Sequence, residues 1–130
     1  MIGMLSAHAD AFLRATALFT VIVFSIPILV APLTWARVFR WQVDARSDLA
    51  LYFGRCLGVF AVLMSWGAWH AASHADFQPI YFNVLVAFSL GMVVVHIVGA
   101  IQKVQPWTET AEIPMWGGLA LLGVLFMPAA

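Results

Sequence analysis

Long apolar runs alternate with short polar connections along almost the whole chain. Four such runs lie at about 15–35, 49–72, 80–101 and 113–127. A transmembrane helix needs roughly 20 mostly apolar residues, because it rises about 1.5 Å per residue through a hydrocarbon layer about 30 Å thick. The pattern therefore predicts an all-α integral membrane protein, a four-helix bundle in which residues 1–130 form a single domain.

The composition agrees with a lipid environment. Hydrophobic residues make up 64% of the chain and charged residues only 9%, which leaves too little polar surface for a monomeric soluble domain. The formal net charge is zero, so no basic face is available for nucleic acid. The single cysteine, Cys56, excludes an intrachain disulfide. The first run is longer than the apolar part of a secretory signal and is interpreted as a retained helix.

The positions of lysine and arginine predict the orientation. The connection after the first run contains Arg37, Arg40 and Arg46, and the connection after the third contains Lys103, whereas residues 73–79 contain neither residue type. Short loops rich in lysine and arginine stay in the cytoplasm. Both termini are therefore expected on the outer, periplasmic side of a bacterial inner membrane, with the lipid bilayer as the surrounding partner.

Local signals shape the first two helices. Pro27 is expected to kink the first helix and Pro32 to begin its exit, since proline lacks the backbone donor. Ser47 and Asp48 are expected to cap the second helix. The stretch 35–48 mixes arginines with apolar residues, and it is interpreted either as a segment on the membrane surface or as a solvated connector.

Small residues recur on one face of the second helix at three- and four-residue intervals. They are Gly54, Gly58, Ala61, Ser65 and Ala68. Small residues let helices approach closely in lipid, where apolarity alone gives helices no reason to associate. This small-residue face indicates either internal packing within one bundle or a contact with another copy of the chain or with a larger membrane complex.

Ionisable residues inside the apolar runs indicate where chemistry could lie. Helix rise places Arg55 in the second helix and His96 in the third at about the same depth, roughly 8 Å from the inner face. A charge at the centre of the hydrocarbon costs about 2.5 to 3.5 kcal/mol. Arg55 is interpreted as an anchor at the inner head groups, as a clamp paired with Glu109 or Glu112, or as a ligand site. His96 is either a hydrogen-bonded core residue or a group that relays protons or binds a polar head group.

These residues predict a ligand pocket near the cytoplasmic boundary, lined by Arg55, His96, Tyr52, Glu109 and Glu112. An apolar shaft with a polar end suits a quinone-like or lipid-like molecule, and the protein would then serve a membrane redox or lipid system. The competing hypothesis is a structural subunit that docks on a larger complex through the small-residue face. A small oligomeric transporter is a third hypothesis, although each helix offers few polar residues for a water-filled path.

The sequence offers no support for catalysis by this chain alone or for a bound metal. It contains no catalytic triad pattern, phosphate loop or zinc-protease motif. Cys56 is the potential nucleophile within the apolar runs, and the neighbouring Arg55 could activate its thiol only if both side chains pointed the same way. Adjacent side chains on a helix diverge by about 100°, so this activation is not expected. His70 and His74 share a face of the second helix, but helix rise places them about 20 Å from His96. One haem therefore cannot be bound by His70 on one side and His96 on the other. Neither a haem nor a metal site is predicted, and the cofactor stays open.

Taken whole, the chain resembles the DoxX-like group of small bacterial inner-membrane proteins. The resemblance rests on the chain length, the four apolar runs, and the segments Phe53 to Gly58 and His96 to Gln102. It implies an accessory subunit or partner of a membrane redox system, sometimes linked to quinone, and it carries over no functional residue. A fainter similarity to the small four-helix scaffold proteins of sterol synthesis implies a protein that holds enzymes in place.

Overall fold

The computed structural model describes residues 2–44 and 47–128, and these ranges contain helices and short connections without any strand. The all-α prediction is confirmed. Arg46, one of the basic residues of the first connection, lies outside the described residues. The helices are α1 (Ala9–Thr20), α2 (Ile26–Val30), α3 (Pro32–Val38), α4 (Asp48–Ser73), α5 (Gln78–Gln102) and α6 (Trp107–Phe126).

Three segments within the described ranges are long and apolar enough to cross a membrane: Ser6–Val30, Asp48–Ser73 and Ala75–Gln102. Large apolar side chains are exposed along their outer faces, as expected for a membrane protein. The fourth predicted run belongs to α6, which begins at Trp107, six residues earlier than the sequence indicated. Glu109 and Glu112 lie in its first turns, and α6 is not among the three segments that are long and apolar enough to cross a membrane.

Pro27 distorts the first membrane segment, as predicted. Proline has no backbone N–H, so the carbonyl of Val23, four residues earlier, loses its usual helical donor. The backbone widens into a π-helical turn at Val21–Ser25, and the indole Nε1 of Trp35 donates a hydrogen bond to the Val23 carbonyl at 2.8 Å. A second break at Ala31, before Pro32, separates α2 from α3.

The substitution Trp35→Phe is expected to lower the free energy of unfolding by about 1 to 3 kcal/mol, because the part-buried Val23 carbonyl would lose the indole donor. Trp66→Phe is the matched control, since the Trp66 ring is largely exposed and its indole donates no hydrogen bond within the described residues. Thermal unfolding of both variants in detergent checks the prediction. Equal losses in the two variants would contradict it.

The long helices pack in two pairs. In the first pair, α4 lies against α1, the π-helical turn, α2 and α3; in the second pair, α5 lies against α6. Although α4 and α5 are consecutive, they contact each other only sparsely. The pairs meet where α4 leads into α5, and Phe82 and Leu13 are fully buried in a small apolar core there. At the opposite end the segment after α3 contacts the start of α6, where the Trp41 indole donates to the Glu109 carboxylate.

Both ends of the described chain lie at this joined end of the bundle. The backbone N–H groups of Gly3 and Leu5 donate to the carbonyls of Val124 and Leu125 in the last turns of α6, at 3.2 and 2.9 Å. The ring of Phe12 stacks on Phe126 with centroids 4.5 Å apart. The N-terminal segment is thereby fixed to the end of α6.

The two ends of α4 are fixed by polar contacts. Ser47 Oγ accepts a hydrogen bond from the Ala50 N–H at 3.4 Å, which confirms the predicted cap. At the other end, the Arg14 guanidinium donates to Ser73 Oγ at 3.2 Å and lies over the Trp69 ring, 5.1 Å from its centroid. The two Arg14 contacts hold α1 and α4 in register.

The small-residue face of α4 is covered by the first part of the same chain. A Cβ at Gly54 would overlap the Pro32 ring, and a Cβ at Gly58 would lie 2.5 Å from the backbone N and Cα of Leu29. Further along α4, the hydroxyls of Ser65 and Ser25 are hydrogen-bonded at 3.0 Å, Ala68 belongs to the buried core, and Ala61 faces the space between the helix pairs. Of the two interpretations of this face, the structure favours internal packing.

Candidate functional site: a cavity that ends in a histidine–glutamate cluster

A cavity of about 730 Å³ lies between the two helix pairs. Its wall is formed mostly by apolar and aromatic side chains from α1, the π-helical turn, α4, α5 and α6, among them Phe12, Phe24, Phe60, Met64, Leu85, Phe88 and Leu119. The joined end of the bundle closes it on one side. At the other side the wall is polar, because His96, Glu109 and Glu112 line the cavity there.

The polar end is a cluster of three side chains that we call the His–Glu cluster: His96, Glu109 and Glu112. His96 lies near the end of α5, and the two glutamates are three residues apart at the start of α6, so they share one face of that helix. The His96 Nε2 lies 3.2 Å from Glu109 Oε2 and 3.5 Å from Glu112 Oε2. His96 is only 4% exposed.

The turn between α5 and α6 brings these residues together. Lys103 adopts a left-handed backbone conformation with φ of 56° and ends α5. The Gln105 side chain then folds back and donates to the His96 carbonyl at 3.0 Å and to Thr110 Oγ1 at 3.1 Å. It lies directly against Gly99, where any larger residue would displace it. The turn therefore fixes the position of α6 relative to His96.

Each member of the cluster is oriented by a hydrogen bond from outside it. The His96 Nδ1 lies 2.7 Å from the Met92 carbonyl, and because a carbonyl only accepts, the network assigns the proton to Nδ1. The Trp41 indole donates to Glu109 Oε1 at 2.8 Å, and the Trp116 indole donates to Glu112 Oε2 at 3.0 Å. The cluster is thus rigidly held in a largely apolar surrounding.

This arrangement is suited to holding positive charge or hydrogen-bond donors. Two carboxylates with side chains only 12% exposed repel each other in a medium of low polarity. A cation, a proton or a donor group between them relieves that repulsion. No metal site was predicted from the sequence, yet within residues 2–44 and 47–128 these three side chains come together as a possible metal-binding group.

Arg55 and Tyr52, two residues of the predicted pocket, do not line the cavity. Both are exposed on the outward face of α4, and Arg55 forms no ion pair with a described carboxylate. The predicted convergence of Arg55 and His96 is corrected by the packing of the helices. Equal depth in the membrane does not bring the two groups together, because α4 packs on α1 and α2 while α5 packs on α6. Of the interpretations of Arg55, exposure favours the anchor.

Glu109 and Glu112 do reach the pocket, but their partner is His96 rather than Arg55. The indole donors Trp41 and Trp116 were not predicted from the sequence. The i, i+4 spacing of Glu112 and Trp116 is a local signal that could have indicated their contact. No comparable signal exists for Trp41, which is 68 residues from Glu109 in the chain.

Comparison with known proteins adds no relative to this picture. No protein-family model, no curated protein and no solved structure matches the chain. The functional interpretation therefore depends on the cavity and on the chemistry of its polar end.

Proposed function

We propose that this protein binds one lipophilic molecule in the cavity, with the polar head of that molecule at the His–Glu cluster. The observation that carries the proposal is an apolar cavity of about 730 Å³ with one polar end. Ligand sites for small molecules have volumes of about 300 to 1,000 Å³, mostly apolar walls and a few placed polar groups. The sparse contact between α4 and α5 would let a ligand enter sideways from the bilayer.

The cluster indicates the chemistry of the head group. Carboxylates accept hydrogen bonds, so the head should donate them or carry positive charge. Among quinone-like ligands, the reduced quinol fits better than the quinone, because its hydroxyls donate. A lipid with a polyol or amine head satisfies the same requirement. The sequence-based hypothesis placed Arg55, a hydrogen-bond donor, beside a quinone-like or lipid-like ligand, whereas the ionised carboxylates at this end of the cavity only accept.

The proposal includes the arrangement in the membrane. α6 would be the fourth crossing helix of a four-helix bundle, with both termini outside and Arg37, Arg40 and Lys103 at the cytoplasmic face of a bacterial inner membrane. The His–Glu cluster would then lie in the inner leaflet. An accessory role in a membrane redox or lipid system follows from the ligand class, and the resemblance to the DoxX-like group agrees with it.

The alternative is a structural subunit of a homo-oligomer or of a larger membrane complex. The surface proposed for its docking is not free. The small-residue face of α4 is occupied by Pro32, Leu29 and Ser25 of the same chain. A docking function would have to use another face. We therefore retain ligand binding as the leading proposal.

The variant Gly118→Phe tests ligand binding. Gly118 lines the cavity, and a Cβ there meets no atom within 4 Å, so the ring can fill the space without displacing the helices. We expect about a tenfold loss of retained lipid or quinol, measured by native mass spectrometry after reconstitution with a bacterial polar lipid extract and a short-chain ubiquinol.

Gly91→Phe is the matched control. Gly91 is also a helical glycine with open space around its Cβ position, but it is exposed and does not line the cavity. Arg55→Ala is a second control, and it should leave occupancy unchanged. The proposal fails if Gly118→Phe retains as much ligand as Gly91→Phe does.

A further inference from the structure

Three potential metal ligands converge at the polar end of the cavity. The Nε2 of His96 and one carboxylate oxygen from each of Glu109 and Glu112 all lie within 4.8 Å of one another. They come from two helices whose mutual position is fixed by the Gln105 side chain. The ligand atoms therefore do not depend on a flexible loop for their arrangement.

The spacing of these atoms suits a small divalent ion. Nitrogen and oxygen ligands bind zinc at about 2.0 to 2.2 Å, which places the ligand atoms of a tetrahedral site about 3.4 Å apart. The His96 Nε2 lies 3.2 Å and 3.5 Å from the two carboxylate oxygens. An ion at their centre would need only small movements of the side chains.

The tautomer of His96 points to a positively charged occupant. Because Nδ1 donates to the Met92 carbonyl, the neutral ring presents a lone pair at Nε2. That lone pair faces the carboxylates of Glu109 and Glu112, which also only accept when ionised. An acceptor nitrogen, more than nine-tenths buried with its residue, therefore faces two other acceptors. A metal ion between them satisfies all three groups, and a proton can take its place when no metal is bound.

The surroundings of the cluster match those of known metal ligands. Ligating histidines usually donate their second ring nitrogen to a carbonyl or carboxylate, and ligating carboxylates are themselves hydrogen-bonded. Met92, Trp41 and Trp116 supply these contacts here. A neutral imidazole and two carboxylates carry a formal charge of −2, which a divalent cation neutralises.

We propose that His96, Glu109 and Glu112 bind one first-row divalent metal ion, of the class of Zn²⁺, Mn²⁺ and Fe²⁺, with an open coordination position toward the cavity. Imidazole favours zinc and iron and carboxylate favours manganese, and no thiolate is present to select softer ions. Three protein ligands leave room on the metal for water or for a hydroxyl oxygen of a quinol or polyol head group. This site goes beyond the proposed function, since a lipid could occupy the cavity without it.

Zinc binding to the full chain tests the proposal. Purified protein in detergent is stripped with a chelator, reloaded with Zn²⁺ and passed through a desalting column, and bound zinc is counted by elemental analysis. We expect one zinc per chain. Glu112→Gln should weaken the affinity by about 100-fold or more, and Trp116→Phe, which retains all three ligands, by about 10-fold. Co²⁺ bound in place of Zn²⁺ should give an absorption spectrum that changes in the variant His96→Leu.

The double variant His70→Gln/His74→Gln is the control, because these stacked histidines at the other end of α4 could bind zinc from solution. It should leave the stoichiometry and affinity unchanged. The proposal is overturned if wild-type protein retains no zinc, if Glu112→Gln binds it equally well, or if the double variant removes it. Should Glu112→Gln fail to fold, the Trp116→Phe affinity and the Co²⁺ spectrum decide.

Ligand occupancy is measured separately on chelator-treated protein. Zinc binding without a retained lipid or quinol would contradict the proposed function and leave the metal site standing. A retained lipid or quinol without zinc binding would support the proposed function and contradict the metal site.

Discussion

Gly58→Leu is expected to prevent the bundle from folding, or to lower its free energy of unfolding by about 3 kcal/mol or more. The Cβ alone would lie 2.5 Å from the backbone N and Cα of Leu29. Overpacking costs about 1 to 3 kcal/mol where side chains can adjust, and more where they cannot. Here the obstacle is backbone, so α2 would have to move away from α4.

Gly91→Leu is the control for the change of residue type, since its Cβ position has no neighbour within 4 Å. Size-exclusion profiles and thermal unfolding in detergent measure the outcome for both variants. Loss of folded protein in Gly58→Leu alone is the expected result. Internal packing would be contradicted if Gly58→Leu gave a stable, folded monomer that had lost only its ability to assemble. The small-residue face would then be interpreted as a docking surface.

His96→Leu is expected to destabilise the protein by about 3 to 5 kcal/mol when metal is chelated. When the metal is absent, a proton shared between His96 Nε2 and the carboxylates takes its place, and removing the histidine leaves the two carboxylates without that compensation. The carboxylates of Glu109 and Glu112 would then face each other in the cavity, with indole donors alone for support. The measurement is thermal or denaturant unfolding at neutral pH in the presence of a chelator.

A rescue variant separates electrostatics from packing. His96→Leu combined with Glu109→Gln and Glu112→Gln removes the two charges and retains amide oxygens that can accept from Trp41 and Trp116. We expect the triple variant to be more stable than His96→Leu alone. If it is equally unstable, the loss comes from the shape of the histidine and the electrostatic account of the cluster is wrong.

The sequence predicted elements of the fold that depend on local chemistry. Apolar runs predicted the helices, Pro27 predicted the distortion of the first one, and Ser47 predicted the start of α4 within one residue. The start of α6 was misplaced, because the polar residues Glu109 and Glu112 indicated a loop where tertiary contacts continue the helix. Their carboxylates are buried by Trp41 and His96, and apolar periodicity does not report such contacts.

By itself the sequence determined an all-α chain with helices long and apolar enough for a membrane, since both properties depend on runs of neighbouring residues. It also determined a histidine and two glutamates near the same boundary, through helix rise. Only the tertiary structure decided that His96 faces Glu109 and Glu112 while Arg55 faces outward. Residues at one depth can meet only if their helices pack together, and the pairing of α4 with α1 and of α5 with α6 depends on contacts between distant parts of the chain.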